Sequence, residues 1–279
     1  MIDAGHRSTA VLRIFRTACF VVTVVAGIAG TVMLLAPDTT HRYFSWPIGP
    51  PPLAALVGAF YLTSALTFAI LGLREDWPAS RGVCFGVLAF TLPTVVATLR
   101  HRDLFDWGRW QAVAWIMLFL ASPLAFSSFL FLLRGRITVG GTPLRGWARA
   151  VLGLLGAFYG MLAVVLLFAP GRLQEVCPFP LPGLSGRFLG SWCAFLAVLA
   201  TFAAWRNRTQ EAVVPVMALL MWPVAAVVAA LRSFNELQPS FRRSMYLAVA
   251  VVLAALAAAA LAVCSRAESS ATTPTTSVP

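Results

Sequence analysis

The sequence predicts an all-α integral membrane protein, with eight transmembrane helices arranged as two parallel four-helix repeats. Hydrophobic residues make up 59% of the 279 and charged residues only 11%, whereas a soluble domain has about half its residues apolar and about a quarter charged. The charges fall in clusters separated by apolar stretches, and about 20 apolar residues are enough for a helix to cross a bilayer. The composition therefore excludes a soluble protein.

Arginine supplies all of the 21 basic residues, and the formal net charge is +11. In a soluble protein such a basic balance would suggest a nucleic acid partner. Here the arginines stand at the ends of apolar stretches, where they meet anionic lipid head groups. We therefore predict the lipid bilayer and its anionic head groups as the partner, and no nucleic acid.

Eight apolar stretches have no acidic or basic residue in their middle. They are expected to be helices, because backbone in lipid must satisfy its own hydrogen bonds. The first follows Arg13 and Arg16 like a signal peptide, but it is longer than a signal-peptide core and no small-residue cleavage site follows it. We interpret it as a retained helix after an N-terminal segment, 1–12. The spans cover about 14–36, 53–73, 82–99, 110–133, 150–169, 188–205, 212–231 and 244–264.

An internal repeat organises these spans. The segment GIAGTVMLLAPD from Gly27 aligns without a gap with GMLAVVLLFAPG from Gly160, and the match extends into the flanking loops. It predicts two copies of one unit, 13–133 and 150–264, joined by a linker over 134–149. A Ser/Thr/Pro-rich tail, 265–279, is expected to be disordered. Matching pairs are Arg16/Arg149, Leu34/Leu167, Pro37/Pro170, Trp46/Phe179 and, after one residue of slippage, Gly58/Gly190 and Arg100/Arg232.

Four helices per unit is an even number, so both units enter the membrane from the same side and are related by an axis along the membrane normal. Twelve arginines stand on the side of the termini and nine on the opposite side. The positive-inside rule then predicts both termini in the cytoplasm, and the all-arginine, alanine-rich composition suits a bacterial inner-membrane protein. On this topology Cys177 lies outside, where an impermeant thiol reagent is expected to label it.

Catalytic and metal-binding motifs are missing from the sequence. The five cysteines form no CxxC pair, so their spacing predicts neither a zinc site nor a disulfide framework. There is no nucleophile elbow, phosphate-binding loop or HExxH. No ionisable residue stands mid-span, which argues against proton relays and sodium coupling. We expect no enzyme, no metal and no cofactor.

Prolines interrupt two corresponding spans, at Pro93 in the third and Pro223 in the seventh. Matching interrupted helices in two halves point to a central binding site. The alternative is a kink that only improves packing. Tyr61 and Trp192 would either face the ligand or anchor their helices at the interface. The predicted pocket between the halves is lined by Thr91, Pro93, Thr94, Trp222 and Pro223.

The densest polar cluster is LRHRDLFDWGRW, from Leu99 to Trp110. Its arginines could hold a lipid phosphate or another anion by bidentate hydrogen bonds, and His101 could act as an acid or base oriented by Asp103 or Asp106. The alternative is an interfacial belt of snorkelling arginines and tryptophans. The predicted head-group or anion contacts are Arg100, His101, Arg102 and, in the second unit, Arg232.

The first loop, LLAPDTTHRYFSWPIGPPP from Leu34, brings Asp38 and His41 close together in sequence, as in an active site. The second unit reads LLFAPGRLQEVCPFPLPGLSG and places Gly171 and Gln174 at those positions. What both copies keep is the aromatic and proline pattern. We therefore interpret the loop as a stiff bridge between helices.

Trp46-Pro47-Ile48 followed by Gly58, and PLPGLSGRFLGSW ending at Trp192, resemble a pattern of uncharacterised bacterial multi-pass membrane proteins. The resemblance covers one loop and one helix of each unit and implies no activity. Two functions remain. One is binding or transport of a neutral or lipid-like small molecule between the halves. The other is a non-catalytic scaffold or subunit that packs against a protein partner or a second copy of itself.

Overall fold

The computed structural model describes residues 2–74, 76–136, 141–237 and 241–272. Within these ranges the chain is helical and has no β-strand. All eight long helices are long and apolar enough to cross a membrane, so the predicted all-α, multi-pass class is confirmed. The helices are α1 (Ile2–Leu35), the short α2 (Thr40–Tyr43), α3 (Pro51–Leu73), α4 (Trp77–Arg100), α5 (Trp110–Leu132), α6 (Gly146–Phe168), α7 (Gly183–Arg206), α8 (Thr209–Arg232) and α9 (Phe241–Thr272).

Several helices begin before the apolar stretches from which they were predicted. Helix α4 starts at Trp77, where the side chain of Asp76 caps it by accepting a hydrogen bond from the Ala79 amide at 3.3 Å. Helices α7 and α8 start at Gly183 and Thr209. The early starts place Arg81, Arg187 and Glu211 inside helices, although hydropathy left them in loops.

The chain is also more helical at its ends than predicted. Helix α1 already begins within the expected N-terminal segment, and α9 continues to Thr272, into the tail that was expected to be disordered. The reason is that Ala, Arg and Glu, which supply four of the eight residues over 265–272, are good helix formers. Residues 273–279 of the tail and 137–140 of the linker lie outside the described residues.

Each half of the chain contains two pairs of packed helices. Helix α1 packs on α3 and α6 on α7, while α4 packs on α5 and α8 on α9. Between the halves, α4 packs on α7, α3 on α8, and α4 on α8. Helices α3, α4, α7 and α8 are each more than half buried, against 22% for α1, α5 and α9. They form the centre, and the others face lipid.

Close backbone contacts have the same register in α1–α3 and α6–α7. A Cβ added at Gly58 would lie 2.7 Å from the Leu34 amide nitrogen, and one at Gly190 would lie 3.0 Å from the Leu167 amide nitrogen. Only glycine permits this approach, as at small-residue contacts between membrane helices generally. The sequence alignment pairs these same residues.

The loops after α1 and α6 are held by similar clamps. The Thr40 hydroxyl donates to the Ile48 carbonyl and accepts from the Ile48 amide, both at 3.1 Å. The Gln174 amide donates to the Leu181 carbonyl at 2.8 Å and accepts from the Leu181 amide at 3.2 Å. His41 is exposed and makes no side-chain hydrogen bond to Asp38 within the described residues. The loop is built as a bridge.

Candidate functional site

The centre of the molecule, where a pocket was predicted, is filled by four aromatic rings. Phe90 of α4 stacks on Trp192 of α7 at 3.9 Å between ring centroids, and Phe60 of α3 lies 4.4 Å from Trp222 of α8. Trp192 and Trp222 are also 4.4 Å apart. Each ring belongs to a different central helix, so together they occupy the space between the halves.

The residues predicted to line one pocket are therefore divided. The Thr91 and Thr94 hydroxyls each donate at 2.8 Å to a carbonyl of their own helix. Trp222 and Pro223 line a cavity in the second half, Thr91 lines a smaller one in the first, and Pro93 borders neither. Large aromatic side chains at the interface separate what the proline pattern suggested as one site.

Of these two cavities, the larger has a volume of about 380 Å³ and lies among α6, α7, α8 and α9, with one wall from α3. Its surface is almost entirely apolar. Val249 of α9, which is 41% exposed, stands in its wall, so the cavity borders the lipid-facing surface. Its principal walls are Phe60, Phe158, Trp192, Trp222, Tyr246 and Val249.

Two indole N–H groups in these walls are buried without a hydrogen-bond acceptor in the described part of the chain. Trp192 is 4% exposed and Trp222 only 1%, and neither Nε1 atom has a partner. Trp115, by contrast, donates to the Thr98 hydroxyl at 3.1 Å. An unsatisfied buried donor costs about 1–3 kcal/mol. The sequence predicted Trp222 as a pocket residue because it precedes Pro223. For Trp192 it left two alternatives open, contact with a ligand or anchoring at the membrane interface.

A smaller cavity of about 110 Å³ occupies the corresponding place in the first half, among α1, α3, α4 and α5. Phe119 and Phe126 of α5 project into its walls. Its hydroxyl groups include those of Ser64 and Ser122, which donate to carbonyls of their own helices at 3.1 and 2.7 Å. The first-half cavity is therefore the more tightly filled of the two.

Cys177 lies in the wall of the larger cavity, at the end formed by the loop after α6. It is half-buried, and burial raises the pKa of its thiol to about 11, against a smaller opposing influence of Arg242. The thiolate is the reactive form. Cys177 is thus a slowly reacting thiol in an apolar wall, not the freely accessible group that the topology test assumed.

The predicted polar cluster at the end of α4 is organised by an arginine that the sequence did not point to. The Arg187 guanidinium of α7 lies 2.9 Å from His101 Nε2 and also donates to the Gly183 carbonyl at 3.1 Å. Burial lowers the pKa of His101, as do the charges of Arg187 and Arg100, while Asp103 partly opposes them. His101 is therefore a neutral acceptor facing a cation.

The other predicted members of this cluster do not converge on His101. Arg102 is exposed, and its carbonyl accepts from the Trp107 indole at 2.8 Å. Arg232 lies in the other half, 3.5 Å from the Leu35 carbonyl. Asp106 accepts from the Gly108 amide at 3.1 Å and so caps a turn. The structure brings Arg100 and His101 together with Arg187 and separates them from Arg232.

A buried ion cluster on the side of the termini was not predicted. Glu211 of α8 is fully buried, and its carboxylate accepts from Arg81 of α4 at 3.0 Å and from Arg206 of α7 at 2.7 Å. Hydropathy begins the third and seventh spans at 82 and 212, so it places both Arg81 and Glu211 in loops. Because both carboxylate oxygens are engaged, the cluster works as a joint between three central helices.

In the described part of the chain, no group of three or more His, Cys, Asp and Glu side chains could hold a metal ion. No family model, curated protein or solved structure matches the chain. Inferences about function therefore rest on the geometry of the cavity in the second half of this multi-pass membrane protein.

Proposed function

We propose that the protein binds a neutral, lipid-like small molecule in the larger cavity, within its second half. One observation carries the proposal: a cavity of about 380 Å³ with an almost entirely apolar surface lies among four helices and borders the lipid-facing side of α9. Small-molecule sites usually measure about 300–1,000 Å³ and combine apolar walls with a few polar groups.

The chemistry of the walls restricts the ligand to neutral molecules. Moving a charge into an apolar environment costs far more than moving a hydrogen-bonded neutral group. Two phenols, Tyr159 and Tyr246, stand in the walls, and the Tyr246 hydroxyl donates to the Ala226 carbonyl at 3.4 Å. The walls thus offer aromatic and aliphatic surfaces, and no arginine stands among their described residues to match an anionic ligand.

The position of the cavity supports supply of the ligand from the membrane. Val249 stands both in the cavity wall and on the lipid-facing surface of α9. A molecule dissolved in the bilayer therefore needs no aqueous route to the cavity. The Val249 side chain lies between the cavity and the surrounding lipid.

We also propose that the halves are two copies of one four-helix unit, with both termini in the cytoplasm of a bacterial cell. Equivalent contacts support the repeat: a Cβ at Gly27 would lie 3.8 Å from Ala65 Cβ, and one at Gly160 would lie 3.9 Å from Ala197 Cβ. The excess of arginine on the side of the termini supports the orientation.

The binding proposal can be tested through Cys177. The protein in detergent is alkylated with N-ethylmaleimide in the presence of dioleoylglycerol, squalene or a decyl-substituted benzoquinone, and mass spectrometry follows the Cys177 peptide. At least one of these neutral probes is expected to slow the labelling in proportion to its concentration, because it covers the cavity wall.

A matched pair of variants locates the effect. Val249→Phe places a ring in the cavity and should abolish protection, whereas Val252→Phe on the same helix, where the valine is 55% exposed and does not line this cavity, should preserve it. Labelling that none of the three probes slows in the folded wild-type protein would overturn the proposal. A protein partner that co-purifies in stoichiometric amount would then favour the scaffold function.

A further inference from the structure

Helices α4 and α7 carry arginines at the same two positions. Each helix has 24 residues, and in each one arginine is the fifth residue and another is the last: Arg81 and Arg100 in α4, and Arg187 and Arg206 in α7. The helices pack against each other and run in opposite directions, since Arg81 and Arg206 share one carboxylate. Each end of the α4–α7 pair therefore carries one fifth-position and one last-position arginine.

The two ends differ in the anion that these arginines meet. On the side of the termini, the buried Glu211 carboxylate accepts from Arg81 at 3.0 Å and from Arg206 at 2.7 Å. On the opposite side, neither Arg100 nor Arg187 forms an ion pair with an acidic side chain among the residues that the structure describes. The second pair of arginines thus lacks the carboxylate that the first pair shares.

The groups in hydrogen-bond contact with Arg187 are neutral. Its guanidinium donates to the Gly183 carbonyl at 3.1 Å and lies 2.9 Å from His101 Nε2. Neither acid of the loop after α4 neutralises it: Asp106 caps a turn, and the exposed Asp103 forms no ion pair within the described ranges. The fold therefore places a cation here and leaves its charge to an anion from outside.

We propose that a phosphate group binds at this end of the α4–α7 pair, between Arg100 and Arg187, as the Glu211 carboxylate binds between the arginines at the other end. The planar fork of N–H donors on a guanidinium matches two phosphate oxygens. This phosphate site lies apart from the larger cavity, whose walls include neither arginine. It does not rest on the proposed function.

An anion has access to the phosphate site from outside the protein. Arg100 is exposed and Arg187 is half-buried, whereas Glu211 at the other end is fully buried. Helix α7 begins here without a side-chain cap, so the positive end of its dipole adds to the attraction. Burial lowers the pKa of His101, as do the charges of Arg187 and Arg100, against a smaller influence of Asp103. Both arginines therefore act on the same place.

The level of the site in the membrane indicates where the phosphate comes from. Trp107 and Trp110, in the loop that follows α4, are 41% and 74% exposed, and tryptophans of membrane proteins are enriched at the level of the lipid head groups. A lipid phosphodiester is present at this level. Inorganic phosphate in solution offers the same oxygens, so the experiment has one arm for each source.

The second unit supplies a matched control. Arg232 stands at the position aligned with Arg100 and also ends its helix, but the position aligned with Arg187 is Ala55, which is 0% exposed. Arg232→Gln therefore removes the same charge from the same side of the membrane without touching the phosphate site.

The first arm measures lipid binding to the purified full-length protein in detergent. Native mass spectrometry gives the dissociation constant of the first bound dioleoylphosphatidylglycerol. Arg100→Gln and Arg187→Gln should each weaken it about tenfold, as for loss of a hydrogen bond to a charged group, whereas Arg232→Gln should bind as the wild type does. Melting temperatures without ligand establish that each variant is folded, and Arg100→Gln, at an exposed position, carries the test if Arg187→Gln is not.

The second arm measures the rise in melting temperature that inorganic phosphate produces when it replaces chloride at constant ionic strength. A rise that Arg100→Gln and Arg187→Gln reduce and Arg232→Gln does not would support the proposal with free phosphate as a ligand. Dependence on these arginines in the lipid arm alone would support it with the lipid phosphodiester as the ligand.

Three results would overturn the proposal. One is wild-type behaviour of Arg100→Gln and Arg187→Gln in both arms. Another is an equal loss of phosphatidylglycerol binding in Arg232→Gln, which would show that surface charge alone attracts the lipid. The third is an equal loss of dioleoylglycerol binding in Arg187→Gln, since that lipid has no phosphate. None of these results changes the labelling of Cys177, on which the proposed function is tested.

Discussion

The two halves share a backbone arrangement but differ in what fills it. In the first half, α5 carries Phe119 and Phe126, and the Phe119 ring lies 4.2 Å from that of Trp115. The cavity that remains there measures about 110 Å³. In the second half α9 reads LAALAAAALA from Leu253, and the cavity measures about 380 Å³. Side-chain volume on one outer helix therefore decides which half can hold a ligand.

The loops before the second helix of each unit show the same contrast. Cys177 lies in the larger cavity's wall, and the alignment places Phe44 at its position in the first half. Phe44 is buried and packs edge-on against Trp46 and Trp115, with ring centroids 4.8 and 5.4 Å away. The small Cys177 in the second half and the Phe44 ring in the first half therefore add to the difference in cavity volume that the outer helices produce.

The largest effect is expected from Glu211, whose ion cluster the first half lacks, since Ala79 stands at the aligned position. Glu211→Ala would leave Arg81 and Arg206 without their shared carboxylate. Removing one partner of a buried ion pair costs about 3–5 kcal/mol, so the melting temperature should fall steeply. Glu236→Ala, in an exposed loop, should change it little, and equal melting temperatures for the two variants would contradict the role of the joint.

Opening the first-half cavity should come next in size. Phe119→Ala removes a ring that is only 4% exposed and should destabilise the protein by about 3 kcal/mol, as large-to-small core substitutions do. Leu120→Ala, at a position 49% exposed to lipid, is the control. If chemical denaturation gives the same stability for both variants, side-chain volume on α5 does not explain the contrast between the halves.

The rate at which Cys177 is alkylated should test whether this loop residue is buried in the cavity wall. With its pKa raised from 9.0 to about 11, the Cys177 thiol carries roughly 100-fold less thiolate near neutral pH than an ordinary cysteine. Alkylation by an impermeant reagent should therefore be about that much slower than in the unfolded chain and should keep rising with pH beyond 9. A plateau near pH 9 would contradict burial of Cys177 in the cavity wall.

The smallest effect is expected from His101, which stabilises the fold in its neutral form. Its pKa is lowered from 6.5 in the folded protein, so the unfolded chain binds the proton more tightly. Stability should be complete above pH 6.5 and decrease as the pH falls below it. His101→Gln should flatten this dependence of the melting temperature between pH 7.5 and 5.5, whereas His41→Gln, at an exposed position, should not.

Hydropathy was sufficient for the fold class because each span is continuous and apolar. It failed at helix starts, since polar residues such as Arg81 and Glu211 lie within the first five residues of α4 and α8 and neutralise each other across the two helices. That pairing is non-local: the two residues are 130 positions apart. Nothing within either segment signals it.

The site was predicted in part. Pro223 pointed to Trp222, which does line the larger cavity, but Thr91, Pro93 and Thr94 do not join it there. The proline pattern could not reveal that aromatic rings from four helices meet at the centre. Whether a space is filled depends on the summed volumes of side chains far apart in sequence, which periodicity does not report.

The joint at Glu211 also bears on the order in which the chain is made. A ribosome completes α4 and α7 before it reaches α8, so Arg81 and Arg206 are already at the membrane when the carboxylate arrives. Glu211 can then enter its buried position with both counter-ions waiting for it. In a nascent chain that stopped before α8, Arg81 and Arg206 would lie between central helices without the Glu211 carboxylate that neutralises them.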